Sequence, residues 1–277
     1  MCPHFIGISM LNIASHRINT EKTTKKLASF ISREIKRSGL NGALVAVSGG
    51  IDSAVALVLT VRALGPERVR ALTLPERDIT PARDIADVMS LVSSLGVTCD
   101  TVEITHVMSV MRETLPLYDS EDLVAFGNVK ARVRMIIAYH YANSLGYMVI
   151  GTSNRTEWLT GYFTKYGDGG VDLMPLADLY KNQIRQLAVH LDIPESIIEK
   201  APSGGLWPGQ TDEGELGLDY DTLDLILSGM EVGMSEDEIA VELNVDTALV
   251  RGAFRRVKAN EHKRRIPTVL RLRTDSE

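Results

Sequence analysis

Between Glu21 and Ser38 the apolar residues Leu27, Phe30, Ile31 and Ile35 recur at helical spacing, and Gly39 supplies a stop. The run ALVAVS at 43–48 then reads as a buried strand, and DSAVALVLTVRALG as a helix ended by Gly65-Pro66. The alternation continues through a strand at 68–74, a helix near 81–96 and a strand at 98–104. It resumes with a helix over 127–145, closed by Gly146, and a strand at 147–152. Strands and helices alternating across short connections predict an α/β fold, a doubly wound parallel sheet with helices on both faces. On the 127–145 helix, Asn128 and Arg132 share a face, while Val129, Val133, Ile136 and Ile137 form the opposite, core-facing stripe. Arg134 reads there as a surface ion-pair partner.

Periodicity fails in SNRTEWLTGYFTKYGDGG, and five glycines occur from Gly151 to Gly170 inclusive. Long irregular segments in a compact domain usually carry function. A helix at 181–192 follows, then the loop PSGGLWPGQTDEGELG at 202–217, two short helices and a basic tail. Glycines around Trp207 make residues 203–214 hinge-capable, and a lid there would exclude water from a reactive intermediate.

Composition narrows the class. The chain has 277 residues, 44% hydrophobic and 24% charged, with a net charge of −6, so no global basic field points to nucleic acid. Cys2 and Cys99 form no CxxC pair, which argues against a zinc site or disulfide framework and fits a reducing cytoplasm. No apolar run approaches the roughly 18 residues that span a membrane, and the amino terminus has no signal-peptide pattern. Met10 is an alternative start. A cytoplasmic protein without membrane or nucleic-acid partners is expected.

The chemistry begins at SGGIDS, residues 48–53. Strand, glycine turn and helix together place backbone N–H groups and a positive helix end around a phosphate. This loop lacks the lysine of the familiar triphosphate loop and carries Asp52 instead. An aspartate would repel a bare phosphate, so it implies Mg²⁺ between the two. Glu157 offers a second hard oxygen ligand of the kind Mg²⁺ accepts. The plain alternatives are a tight turn with Asp52 and Ser53 as first-turn capping residues, and a solvated Glu157. Thr152 ends a parallel strand, where such sheets bind ligands.

SGGxDS after a strand resembles the ATP pyrophosphatase enzymes, and GTSNRTEWLTGYFTKYGDGGVDLMPLADLYKNQIRQLA (151–188) resembles the ammonia-dependent NAD synthetases. The resemblance covers most of residues 40–218 and implies a Rossmann-like fold, one domain over 1–277 with a core at about 21–218 and a small helical C-terminal extension at about 219–277. It implies adenylation of nicotinic acid adenine dinucleotide (deamido-NAD) by ATP, then attack by ammonia to give NAD, AMP and pyrophosphate, with Mg²⁺ as cofactor. By the same resemblance ATP is held by Ala46, Val47, Ser48, Gly49, Gly50, Ile51, Asp52, Ser53, Thr152, Lys181 and Ser203. Deamido-NAD is held by Arg132, Lys165, Asp172, His262 and Lys263, and the metal by Asp52 and Glu157. Asp52, Lys181 and Asp168 are the catalytic candidates. Lys181 would spread positive charge over the phosphates, and Asp168 would take a proton from NH4⁺. An ordinary surface lysine and a glycine-turn aspartate are the alternatives for these two. Gly204-Gly205 and the loop LPERDITPARD (74–84) match the family pattern only loosely. Free ammonia, or ammonia passed from another protein, is the expected donor, and a homodimer is implied, with the helices at 21–38 and 127–145 as candidate interface.

The last stretch, SEDEIAVELNVDTALVRGAFRRVKANEHKRR, has the rhythm of a helix-turn-helix, and Arg251, Arg255, Arg256, Lys258, Lys263, Arg264 and Arg265 make it basic. DNA reading is one explanation. The acidic total of the chain and the family's terminal His-Lys pair, matched by His262-Lys263, favour contact with an anionic dinucleotide.

Overall fold

Val45 and Leu44 point to opposite faces of one strand, as the two-residue period of a strand requires, and each face meets its own apolar cluster. The computed structural model describes residues 11–270, so Cys2 and Met10 lie outside the described residues. In chain order the helices and strands are α1 (Thr20–Ser38), β1 (Gly42–Ala46), α2 (Ile51–Leu64), β2 (Val69–Thr73), α3 (Ala82–Leu95) and β3 (Thr98–Thr101). Then come α4 (Thr105–Thr114), α5 (Leu123–Leu145), β4 (Tyr147–Ile150), α6 (Arg155–Thr160), α7 (Lys181–His190) and α8 (Glu195–Ile198). The remainder is α9 (Asp212–Leu216), α10 (Tyr220–Glu231), α11 (Glu236–Leu243), α12 (Thr247–Ala259) and a 3-10 turn at Glu261–Arg264.

Among the described residues four parallel strands form one sheet in the order β3-β2-β1-β4. Ala43 and Val45 face α1, α2 and α7, with Ile31, Ile35, Leu57 and Ile184 completely buried between them. Leu44 and Leu72 face α4 and α5 through Ile104, Met108 and Val133. The chain winds outward from β1 to β3 and returns to β4 on the other side of β1. The carboxyl ends of β1 and β4 therefore flank a topological switch point, where open α/β sheets bind ligands. A third cluster joins α10, α11 and α12 through Leu223, Ile226, Leu227, Ile239 and Val250.

Several boundaries depart from the sequence expectation. Each strand except β2 ends two or three residues early, because the chain leaves the ladder for the turn that enters the next helix. Helix α5 starts at Leu123, one turn before Gly127, because Asp122 caps it by accepting from Ala125 N at 2.9 Å. Ile136 belongs to no core stripe: it is 61% exposed, while Val133 is buried. Arg134 makes no surface ion pair and instead donates from Nε to the Leu74 carbonyl at 3.2 Å. Helices α6 and α9 occupy segments that read as irregular, and among the described residues three helices, not two, follow residue 219. No helix among the described residues is long and apolar enough to cross a membrane.

Candidate active site

Ser48–Ser53 leaves the carboxyl end of β1 and enters α2. Gly49 adopts φ +83°, and a Cβ there would come within 2.8 Å of the Asp84 carbonyl, so two independent constraints require glycine. Ala46 ends the strand, Val47 donates to the Leu72 carbonyl at 2.8 Å, and buried Ile51 anchors the first turn of α2. Ser53 Oγ donates to the Gly50 carbonyl at 2.9 Å and receives Ser48 N at 3.3 Å, which closes the turn. No side chain caps α2, so the free N–H groups at its start are left for an anion.

The end of β4 supplies the facing wall. Thr152 is half-buried there, and Asn154 caps α6 in a capping box with Glu157, the two backbone N–H groups being satisfied reciprocally. That box aims two carboxylates at one point. Asn154 Nδ2 donates to Asp52 Oδ1 at 2.9 Å and to Glu157 Oε1 at 2.7 Å. Lys181, at the start of α7, brings its ammonium to within 2.6 Å of Asp52 Oδ2 and 3.6 Å of Glu157 Oε1. Asp52, Glu157 and Lys181 are thus gathered as the sequence implied, with Asn154 as the bridging amide.

Asp212, which the sequence reading passed over, completes this cluster. It is buried, accepts from Tyr162 OH at 3.0 Å and Tyr220 OH at 2.9 Å, and desolvation raises its carboxyl. Lys181 Nζ stands 4.8 Å from the centre of the Tyr220 ring. Three carboxylates against one ammonium leave excess negative charge. Desolvation, followed by repulsion from Asp52, accordingly pushes Glu157 up to about 8, while Lys181 is held charged by the same acids. A divalent cation would relieve that excess. Asp52 and Glu157 fit such an ion as two oxygen ligands complemented by phosphate oxygens; no group of three or more His, Cys, Asp or Glu among the described residues could hold a metal ion.

The glycine-rich segment is held from two sides. Helix α5 presents Asn128, whose Oδ1 accepts from Thr164 Oγ1 at 2.6 Å, and Arg132, whose guanidinium donates to the Lys165 carbonyl at 3.2 Å. From the other side the 3-10 turn clamps the carbonyls that end α6. Lys263 Nζ donates to Gly161 O at 2.7 Å and Phe163 O at 3.0 Å, Asn260 Nδ2 donates to Thr160 O at 2.9 Å, and Arg264 donates to Leu159 O. Lys165 Nζ donates to the His262 carbonyl at 2.8 Å. His262 and Lys263, expected to hold the dinucleotide, lie beside the glycine-rich segment, where Lys263 is spent on two carbonyls and His262 offers its own carbonyl to Lys165.

Asp168 accepts from Thr164 N at 2.8 Å. Desolvation of its carboxyl by the surrounding turns raises it from its ordinary value, against the hydrogen bond from Thr164 N and the weaker pull of Lys263 and Arg134. The residue keeps a solvent-facing surface, so the effect is smaller than for a fully enclosed acid. Asp172 stands apart from the Lys181 cluster: it accepts from Val149 N at 2.8 Å and Tyr139 OH at 3.0 Å.

The 203–210 loop is folded rather than extended. Ser203 Oγ donates to the Gln210 carbonyl at 2.8 Å, and Gln210 Oε1 accepts from Leu206 N at 2.8 Å. Buried Lys130 of α5 donates to the Leu206 carbonyl and pairs with Glu76 at 2.5 Å. A Cβ on Gly127 would lie 3.0 Å from the Trp207 ring, so α5 provides the seat for this loop.

The family described as NAD synthase matches residues 23–267 of the chain. An NH3-dependent NAD(+) synthetase from Methanosarcina acetivorans is 44% identical over 252 residues, covering 91% of this chain and 98% of that protein. In overall structure the chain is similar to an NMN synthetase from Francisella tularensis, with TM-score 0.82 and 33% identity over 92% of this chain and 100% of that one. It is also similar to an NH3-dependent NAD synthetase from Campylobacter jejuni, with TM-score 0.77 and 30% identity over 92% of this chain and 100% of that one.

Proposed function

The chain belongs to the NAD synthase family, and we propose that it makes NAD from deamido-NAD, ATP and ammonia as a carbon–nitrogen ligase, dividing the work among the residues as follows. The observation that carries the reading is the meeting of Lys181, Asp52 and Glu157 at the switch point between β1 and β4, beside an uncapped helix start. The Ser48–Ser53 turn and the start of α2 bind the β- and γ-phosphates of ATP. The carboxylate of the nicotinate ring attacks the α-phosphorus; a carboxyl–phosphate bond forms, the bond to the β-phosphate breaks, and pyrophosphate leaves with its charge. Lys181 stabilises that departing charge from a buried position, where an ammonium acts far more strongly than in water. Asp52 and Glu157 would hold Mg²⁺, which neutralises phosphate charge when bound.

Asp168 then takes a proton from NH4⁺. The neutral nitrogen attacks the adenylated carboxyl carbon, the acyl C–O bond breaks, and AMP departs, taking the proton that the nitrogen sheds as the amide forms. Arg132, Lys165 and the His262–Lys263 turn border the segment that would receive the dinucleotide, and Thr152 and Ser203 remain our assignments for ATP. Asp172 is assigned to the dinucleotide through its place after the glycine turns. One catalytic unit over residues 1–277 belongs to the same reading, because α12 and the 3-10 turn hold α6 in place. Exposed Leu123, Val124 and Ile136 on α5 support a homodimer, to be checked by light scattering. The half-buried free thiol of Cys99 suits a reducing cytoplasm.

The deciding assay mixes purified protein with ATP, Mg²⁺, ammonium and deamido-NAD, and measures AMP, pyrophosphate and NAD. Stoichiometric AMP and NAD are expected. ADP as product, or ATP turnover indifferent to deamido-NAD, would overturn the assignment. Nicotinic acid mononucleotide serves as the competing substrate, and preferential amidation of it would move the activity to the mononucleotide.

A further inference from the structure

The turn that would cradle pyrophosphate is braced from behind by a residue far along the chain. Lys200 Nζ lies 2.7 Å from the Gly49 carbonyl, 2.7 Å from Asp84 Oδ1 and 3.0 Å from Asp87 Oδ2. The ammonium donates to the Gly49 carbonyl and to Asp87, Asp84 adds an ion pair, and the lysine side chain is only 15% exposed. Asp84 and Asp87 both belong to α3, and Ser196 of α8 donates to Asp87 Oδ1 at 3.0 Å. One nitrogen therefore ties the glycine turn, α3 and the approach to the 203–210 loop together.

Geometry gives this contact a consequence beyond stability. The carbonyl of Gly49 and the N–H of Gly50 belong to one planar trans peptide and point in opposite directions. A donor that holds the carbonyl outward holds the Gly50 N–H inward, on the side of Ser48 Oγ, which accepts from it at 3.3 Å. A phosphate-binding nest needs its N–H groups converging on the anion, so its outward carbonyls need donors elsewhere. Gly49 at φ +83° and Gly50 are the residues with most backbone freedom in this turn, and Lys200 removes that freedom.

We propose that Lys200 is a positioning residue for the pyrophosphate-binding turn: it fixes the Gly49–Gly50 peptide in its anion-receiving orientation and couples that turn to the start of the 203–210 loop. The proposal rests on Ser48–Ser53 being the cradle for the pyrophosphate end of ATP. It differs from a plain structural ion pair because the contact with Gly49, and not those with the two aspartates, is what acts on the anion.

The test compares wild type, Lys200→Met and Asp87→Asn for three constants: KM for ATP, product inhibition by pyrophosphate, and KM for deamido-NAD. Lys200→Met should weaken ATP and pyrophosphate about tenfold, the scale of one charge-assisted hydrogen bond, with deamido-NAD within about twofold. Asp87→Asn removes one ion pair, leaves the ammonium on Gly49, and should keep all three constants within about twofold. Pyrophosphate inhibition unchanged in Lys200→Met, or moved equally by Asp87→Asn, overturns the proposal. Should Lys200→Met fail to fold, Lys200→Arg carries the test, since its planar fork cannot converge three acceptors on one nitrogen; unchanged constants there overturn the proposal as well. Wild type releasing ADP would defeat the functional reading, whereas wild type forming AMP with unaffected Lys200 variants defeats only this inference.

Discussion

Lys181 and Asp52 are 129 residues apart in sequence, yet the ammonium and carboxylate lie 2.6 Å apart in a site where the lysine side chain is 3% exposed. Neither residue serves the sheet or the apolar clusters. Lys181→Met keeps the stem and removes only the charge, so kcat should fall by about 10²–10³, the range seen when one preorganised electrostatic donor is lost. Pyrophosphate release in a coupled assay checks this. A fall below about tenfold would assign the lysine to ground-state binding instead.

Asp168 offers a separable second step. In Asp168→Asn, pyrophosphate release from ATP and deamido-NAD should persist, while amide formation at saturating ammonium falls by about 10²–10⁴, the usual worth of a positioned base. Local desolvation shifts this acid upward from its ordinary value, so its base form grows as pH climbs through that shifted value. Wild-type amidation should therefore rise with pH on a limb that the asparagine variant lacks. Normal amidation in Asp168→Asn would sink the role.

The alternation that built the sheet was legible because β1 and β2 are short apolar runs and α1 and α3 carry long one-sided stripes. Helix α6 spans six residues and α9 five, too short for periodicity to register, although the Asn154–Glu157 capping box left a readable local mark. Ile136 was misplaced because spacing says which residues share a face, not which part of that face another element covers. Lys181 and Glu157 were reachable through motif likeness. Lys200, Asp212 and Lys130 were not, since their partners are joined only by the folded topology: Lys200 meets Gly49 across 151 residues.

Lys130 and Glu76 form a nearly dry ion pair, 3% and 2% exposed, with Arg112 adding a 3.0 Å contact to Glu76. Removing Lys130 leaves buried Glu76 with the partly exposed Arg112 as its remaining partner. Lys130→Met should therefore cost less than the about 3–5 kcal/mol of an uncompensated buried charge, measured by urea unfolding. It also removes the donor to the Leu206 carbonyl, so protease cleavage within 203–210 should speed up under conditions where the rest of the chain stays folded. Unchanged cleavage would show that Trp207 on Gly127 holds the loop unaided.

Asp224 is completely buried in α10 and accepts from Thr156 Oγ1 and, at 3.0 Å, from Asn182 N. It thereby ties α10 to the two helices that carry Glu157 and Lys181. Desolvation lifts its carboxyl from 3.8 to about 6. Between about pH 4 and 6 the folded chain keeps a proton that the unfolded chain releases, so this residue's contribution to stability falls as pH rises through that window and is level above it. The change amounts to about 3 kcal/mol. Asp224→Asn has nothing to titrate there, so the wild-type advantage over the variant in urea midpoint should be largest near pH 4 and smallest above pH 6. A difference constant across that range would mean that Asp224 stays ionised in the fold, held by its two donors against the cost of burial.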